Sequence, residues 1–220
     1  MLYDDFSGST LDPFKWTIAA APLGDGSFWY WRDVNAIETQ AGGRFSIDIP
    51  KFSSNNDIVQ IFDNPKHLYL ANMSWPTGGG PARFSCVLAG SVTGDPDDYR
   101  DGFASFNVLD FESAMVFDIV TNGHRIWAIY ERLLIPGATT PEQAFTEVVD
   151  LGVPTVPMRE HEVAVEFDGA GASVRFFVDG AELLVRENVP AVPSQLTCGF
   201  GLITLWPIEN GKSVSCKGQG

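Results

Sequence analysis

Short runs in which apolar and polar residues alternate, each broken by Gly, Pro, Asn or Asp, recur from one end of this chain to the other. RFSIDI (Arg44–Ile49), HLYLANMSW (His67–Trp75), ARFSCVLAG, GFASFNVLDF, HEVAVEFDG, SVRFFVDG, AELLVREN and CGFGLITLW all follow the pattern. Alternation with period two places successive side chains on opposite faces of a strand. Helix-period stretches are scarce. The best of them, TTPEQAFTEVVDLG (Thr139–Gly152), has Thr140 placed as a cap and Pro141 at the first helical position, and reads equally as a loop followed by a strand. Many short strands with almost no helix predict an all-β fold, an antiparallel two-sheet sandwich or jelly roll.

Two hairpins can be set in register. In SVRFFVDGAELLV, Asp179-Gly180 is a strong two-residue turn. Val178 then opposes Ala181, Phe176 opposes Leu183 and Val174 opposes Val185, which makes that face core. In FESAMVFDIVTNGHRIWAIYERLL (Phe111–Leu134), Asn122-Gly123 is read the same way. Thr121 then opposes His124, Val120 opposes Arg125 and Ile119 opposes Ile126. One face of this hairpin, Met115, Phe117, Ile119, Ile126, Ala128 and Tyr130, is apolar and reads as core. The other mixes Glu112, Ala114, Val116, Asp118, Val120, Arg125, Trp127, Ile129 and Glu131. A one-residue slip would exchange whole faces, so the consistency of both sets supports the assignment.

The chain has 220 residues, which suits one all-β domain over 1–220. Gly and Pro are spread throughout, with no linker, repeat or low-complexity tract. Hydrophobic residues make up 45% and charged residues 19%, enough for a large core. The formal charge of −14 argues against phosphate backbones and anionic membrane surfaces as partners. Three cysteines, Cys86, Cys198 and Cys216, exclude a full disulfide framework but allow one bridge, and are expected as free thiols. The opening residues show no basic segment followed by an apolar one, so the expectation is a cytoplasmic protein, or a secreted one had a leader been removed.

YDDFSGSTLDPFKW at the start resembles the opening of many concanavalin A-like lectin/glucanase domains. SVRFFVDGAELLV near the end resembles the strand, VDG turn and returning strand found in that superfamily. The resemblance spans Leu2 to about Ile208 and implies two antiparallel sheets with ligand on the concave face. Its members include sugar-binding lectins, laminarinase-type retaining glucanases and polysaccharide lyases. The glucanase motif Glu-x-Asp-x-Glu is absent; the nearest acidic strand, DFESAMVFDIV, spaces Glu112 and Asp118 six apart. The superfamily allows a structural calcium ion at the rim, but no dense acidic loop predicts one. No cofactor is expected.

The mixed hairpin face is therefore expected to line the concave sheet. In the register above Glu131 opposes Ala114 and lies diagonal to Glu112. Diagonal carboxylates about 7–8 Å apart suit acid–base work, because partial desolvation drives their pKa values apart. Asp118 opposes Trp127 and is diagonal to Arg125, a carboxylate and a clamp beside an aromatic platform. Glu131, Asp118 and Glu112 are the expected catalytic residues. GDGSFWYWRD (Gly24–Asp33) places Trp29 and Trp31 on one side of an extended chain, where they can rim a ligand groove. His67 and Tyr69, on the strand HLYLANMSW, complete the expected ligand-binding set with Trp127, Arg125, Trp29 and Trp31. No HxH, HExxH or phosphate-loop spacing points to zinc or nucleotide. The expected ligand is a glycan; the alternatives are a small, largely apolar metabolite processed by an intracellular cyclase, isomerase or lyase, and a non-catalytic interaction module.

Overall fold

The computed structural model describes residues 1–22, 25–53, 66–135, 137–205, 208–209 and 212–213. Its principal strands, in chain order, are β1 (Trp16–Ile18), β2 (Ala20–Pro22), β3 (Phe28–Tyr30), β4 (Ile37–Ala41), β5 (Arg44–Asp48), β6 (Lys66–Ala71), β7 (Trp75–Pro76), β8 (Ala82–Leu88), β9 (Phe103–Asp110), β10 (Met115–Thr121), β11 (Ile126–Arg132), β12 (Phe145–Asp150), β13 (His161–Asp168), β14 (Ser173–Val178), β15 (Ala181–Arg186) and β16 (Gln195–Ile203). Among the described residues the larger sheet has eight strands, in the order β1-β6-β16-β9-β10-β11-β12 with β7 against β16. The smaller sheet runs β15-β14-β13-β8, and β2–β3 and β4–β5 are separate hairpins. The pairings are antiparallel, as the alternating pattern requires.

The core lies between the two sheets. Met115, Phe117 and Ile119 of β10 and Ile126, Ala128 and Tyr130 of β11 all enter it, together with Val163, Val165 and Phe167 of β13 and Val174, Phe176 and Val178 of β14. Phe117 is the hub: its ring stacks on Tyr130 across the hairpin (6.1 Å) and on Phe167 of the opposite sheet (5.5 Å). The opening motif closes one flank. Tyr3 packs edge-on against Trp16, its hydroxyl donates to the Lys15 carbonyl, and the Trp16 indole donates to Asp4.

The other face of the larger sheet is covered as well, which is why β10 is buried on both sides. Trp31, following β3, bonds its backbone to Ala19 and Leu68 and packs over Leu68, Leu70, Leu109 and Val116. Further along, Phe103, Val120, Trp127, Ile129 and Ile203 form a second cluster under Tyr99 and Leu205.

Of the two readings of Thr139–Gly152, the loop followed by a strand is the one adopted: the Thr140 carbonyl accepts the Gln143 and Ala144 N–H groups and the chain then pairs with β11 as β12. Two local expectations are corrected. The Asn122 turn has four residues instead of two. Its carboxamide oxygen accepts both the His124 and Arg125 N–H groups, an Asx turn that holds Asn122–Arg125 out of the ladder. Thr121 therefore opposes Ile126, Val120 opposes Trp127, Asp118 opposes Ile129 and Val116 opposes Glu131. The slip is two residues, so each side chain keeps its face. In the second hairpin Asp179 and Gly180 take the positive φ values, 50° and 81°, of the expected turn. A bulge at Phe176/Phe177 then sets Phe176 opposite Leu184 and Arg175 opposite Val185. Leu183 is left facing solvent.

Gly199 and Gly201 let β16 and β6 approach. A Cβ on Gly201 would lie 2.1 Å from the His67 carbonyl oxygen, a backbone atom with nowhere to go. Gly201→Ala is expected to cost at least about 1–3 kcal/mol by overpacking. Urea unfolding checks this; an unchanged midpoint would contradict the close approach.

Candidate active site

Strand parity brings Asn107 of β9, Asp118 of β10, Glu131 of β11 and Lys66 of β6 to the outer face of the larger sheet, where all four line one narrow cavity of about 90 Å³. Its walls are mostly apolar, with Trp31, Leu68, Phe103, Val116 and Ile129 among them. Phe111 is shared with a wider trough of about 620 Å³ lined by Thr17, Phe28, Tyr30, Asn72, Gln195 and Thr197 among others. Trp31 and Phe111 stack at 6.4 Å and form the divide between cavity and trough.

Asp118 is 7% exposed, and its Oδ1 has no hydrogen-bond partner among the described residues. Burial pushes its carboxyl well above the ordinary aspartate range, and the charge of Glu131 adds to the rise. The Asn107 carboxamide, the Val108 N–H and Lys66 offset part of it. Asn107 is itself oriented, because the Ser105 hydroxyl donates to its Oδ1 at 2.9 Å and leaves the amide N–H free to donate to the carboxyl. Burial also raises the Glu131 carboxyl, against the Thr146 hydroxyl, which donates to its Oε1 at 2.5 Å, and Lys66. Asp118 pairs with Ile129, so Glu131 is its diagonal neighbour on the same face, a placement that sets the two strand positions about 7–8 Å apart and within reach of long side chains. The outer-face positions of β11 are Trp127, Ile129 and Glu131, with a single carboxylate among them; the second comes from the adjacent strand.

The sign of the pH effect follows. A carboxyl whose folded pKa exceeds its unfolded value holds its proton more tightly when folded, so stability falls as pH rises from the unfolded pKa towards the folded one. Relative to the wild type, Asp118→Asn is therefore expected to gain stability progressively above about pH 4, where an unfolded aspartate ionises. Thermal melts across pH 4–8 check this; a difference in Tm that does not grow with pH would contradict it.

The expected residues fall into two groups. Asp118, Glu131 and Trp31 line the cavity, and Trp127 packs at its far end against Tyr99. Trp29 packs behind Trp31. The other four lie elsewhere. Glu112 sits exposed in the turn between β9 and β10 and has no place on the β10 ladder. Arg125, held in the four-residue turn, binds Asp97 (2.6 Å) and Asp150 (2.5 Å) at the surface. His67 and Tyr69 alternate with Lys66 and Leu68 on β6 and so point to the opposite side of the sheet. There both reach Glu38 Oε1, at 2.8 and 2.7 Å. His67 Nδ1 accepts the Asp33 N–H, which leaves the Nε2 proton for Glu38, and burial lowers the pKa of the ring. Sequence reasoning missed Lys66, Asn107, Ser105 and Thr146. The alternation in GFASFNVLDF carried a signal for two of them, since Ser105 and Asn107 are polar on a strand whose other face is Phe106 and Val108.

Among the described residues no group of three or more His, Cys, Asp or Glu side chains could hold a metal. Cys86 and Cys198 are free thiols, and burial pushes Cys198 up to about 12. Cys216 lies outside the described residues.

The fold is a concanavalin A-like jelly roll, shared with known carbohydrate-active structures. Endo-1,3-beta-glucanase from Streptomyces sioyaensis superposes with a TM-score of 0.57 at 15% identity, over 91% of this chain and 83% of the other. Porphyranase B from Zobellia galactanivorans gives 0.57 at 13% identity, over 98% and 82%. LamA from Z. galactanivorans in complex with laminaritriose and laminaritetraose gives 0.57 at 11%, over 96% and 92%. A family model described as a family of unknown function, DUF6081, matches residues 3–220, and the chain belongs to that family. The search of curated proteins gave no match.

Proposed function

We propose that the outer-face cavity and trough form an acid–base site for a carbohydrate ligand. The observation that carries this reading is the buried Asp118, with one oxygen unpartnered among the described residues, one strand away from Glu131 at the head of a trough that mixes aromatic rings with hydroxyl and amide side chains. Aromatic faces with polar rims suit sugar rings, whose faces are apolar and whose edges carry hydroxyls. The jelly-roll likeness supports the reading by analogy of fold. Asp118, the more strongly raised of the two carboxyls, is the acid: as the C–O bond breaks, it gives its proton to the departing oxygen. Glu131, ionised, takes the proton of an attacking water. The diagonal placement sets the two strand positions about 7–8 Å apart, and the attacking water of a glycoside cleavage stands between the two carboxyls. Lys66 lowers the pKa of both carboxyls and so favours the ionised state that Glu131 needs.

A second reading is favoured by the walls of the cavity, which are mainly Leu, Ile, Val, Phe and Trp. A small, largely apolar metabolite would fit them, with Asp118 as acid in a cyclisation, isomerisation or elimination. A panel of soluble glycans (laminarin, mixed-linkage glucan, porphyran and galactan) separates the two, with calorimetry for binding and new reducing ends for cleavage. Binding of one class supports the carbohydrate site. Binding of none removes it and leaves the apolar ligand.

A further inference from the structure

The outer face of the larger sheet is not an open trench. At one end lies the trough of about 620 Å³, within the range of ordinary ligand sites. Trp31 and Phe111 then narrow the face to the cavity of about 90 Å³, roughly the space of three waters, in which Asp118 and Glu131 sit. Beyond the cavity the sheet is filled: Val120 is 0%, Phe103 2% and Trp127 5% exposed, with Tyr99 tilted onto Trp127 at 6.1 Å.

This filling is built into the fold. The 95–101 segment that carries Tyr99 is tied down on both flanks. Arg125 binds Asp97 of the segment and Asp150 of β12, and the Asn122 carboxamide donates to the Pro96 carbonyl. On the other flank the Arg100 carbonyl accepts the Leu205 N–H and the Thr204 hydroxyl, each at 3.0 Å. Leu205 thereby stays on the apolar cluster of which Tyr99 is also part. The four-residue Asn122 turn serves this purpose: it swings Arg125 out of the strand ladder to where it bridges the segment and β12.

We infer that the site is blind-ended. It accepts the end of a saccharide chain, or a short saccharide, and excludes internal stretches of a polymer. The proposal rests on the carbohydrate reading given above. The chain body lies in the trough and its last unit stops against Trp31 and Phe111, beyond which there is room only for about three waters, so the bond nearest the chain end is the one presented towards Asp118 and Glu131. Tyr99, Trp127 and Leu205 close the far end of that water-sized space, so no further sugar unit continues past it.

The test is binding and cleavage of size-graded saccharides by the wild-type protein. The probes are laminarin, mixed-linkage glucan and galactan, each as polymer and as oligosaccharides of two to six units. For the backbone that binds, the expected affinity, counted per chain, changes less than about threefold above three units, and cleavage releases the smallest unit from the first time points. An affinity per chain that climbs with polymer length, or products of intermediate length appearing first, would overturn the blind end while leaving the carbohydrate site standing. Failure of every saccharide of every length to bind would remove both.

Discussion

On the acid–base reading proposed above, Asp118→Asn is expected to lower glycan turnover by about 10²–10⁴-fold, the usual contribution of a positioned general acid, with the dissociation constant changed only a few-fold. The amide keeps the shape of the side chain and can still accept from Asn107, but it has no proton to give to a leaving oxygen. Loss confined to kcat separates a role in chemistry from a role in holding the sheet together. Glu131→Gln is expected to act similarly, because the Thr146 hydroxyl can hold the amide oxygen in the place of Oε1. The pH–rate profile should lose its acid limb in Glu131→Gln, where the group that must be ionised is gone, and its alkaline limb in Asp118→Asn, where the group that must be protonated is gone. Turnover intact in both variants would end the assignment.

Phe117→Ala is expected to be the most damaging core substitution. Phe117 is fully buried, stacked on Tyr130 within its sheet and on Phe167 across the sandwich. Removing the ring strips both contacts and leaves a cavity between two sheets that are stiff and cannot close around it. Such truncations cost about 3–5 kcal/mol, a large share of the stability of a domain this size. Denaturant unfolding measures it, and a loss below about 1 kcal/mol would mean that Phe117 is not the hub of the core.

The fold was legible because alternation with period two survives errors of turn length. Asn-Gly predicts a turn of two residues and the structure has one of four, yet Met115, Phe117 and Ile119 lie in the core and Val116 and Asp118 outside it, as alternation requires. An even slip preserves faces. What it changes is the partner across the strand, and that is where the site assignment moved: Glu131 exchanged Glu112 for Asp118 as its diagonal carboxylate. The Asx turn that lengthens the loop was hidden because Asn-Gly is also the strongest signal for a two-residue turn. His67 and Tyr69 were assigned to the groove by residue type, while strand parity sends them to Glu38 on the other side. Lys66 was missed for the complementary reason. It stands one residue before the aromatic run and faces the cavity by the same parity. The Thr139–Gly152 segment read equally as a capped helix and as a loop followed by a strand, and the hydrogen bonds it makes with β11 decide for the strand.

Asp118 holds its proton above the range of an ordinary aspartate because it is buried beside Glu131 on the outer face of the larger sheet. Carbon-13 NMR titration of the Asp118 carboxyl, identified by its loss in Asp118→Asn, tests this without any ligand. The expected midpoint lies clearly above 3.8, and Glu131→Gln should lower it by removing the neighbouring charge. A midpoint at or below 3.8, or one unmoved by Glu131→Gln, would contradict the account.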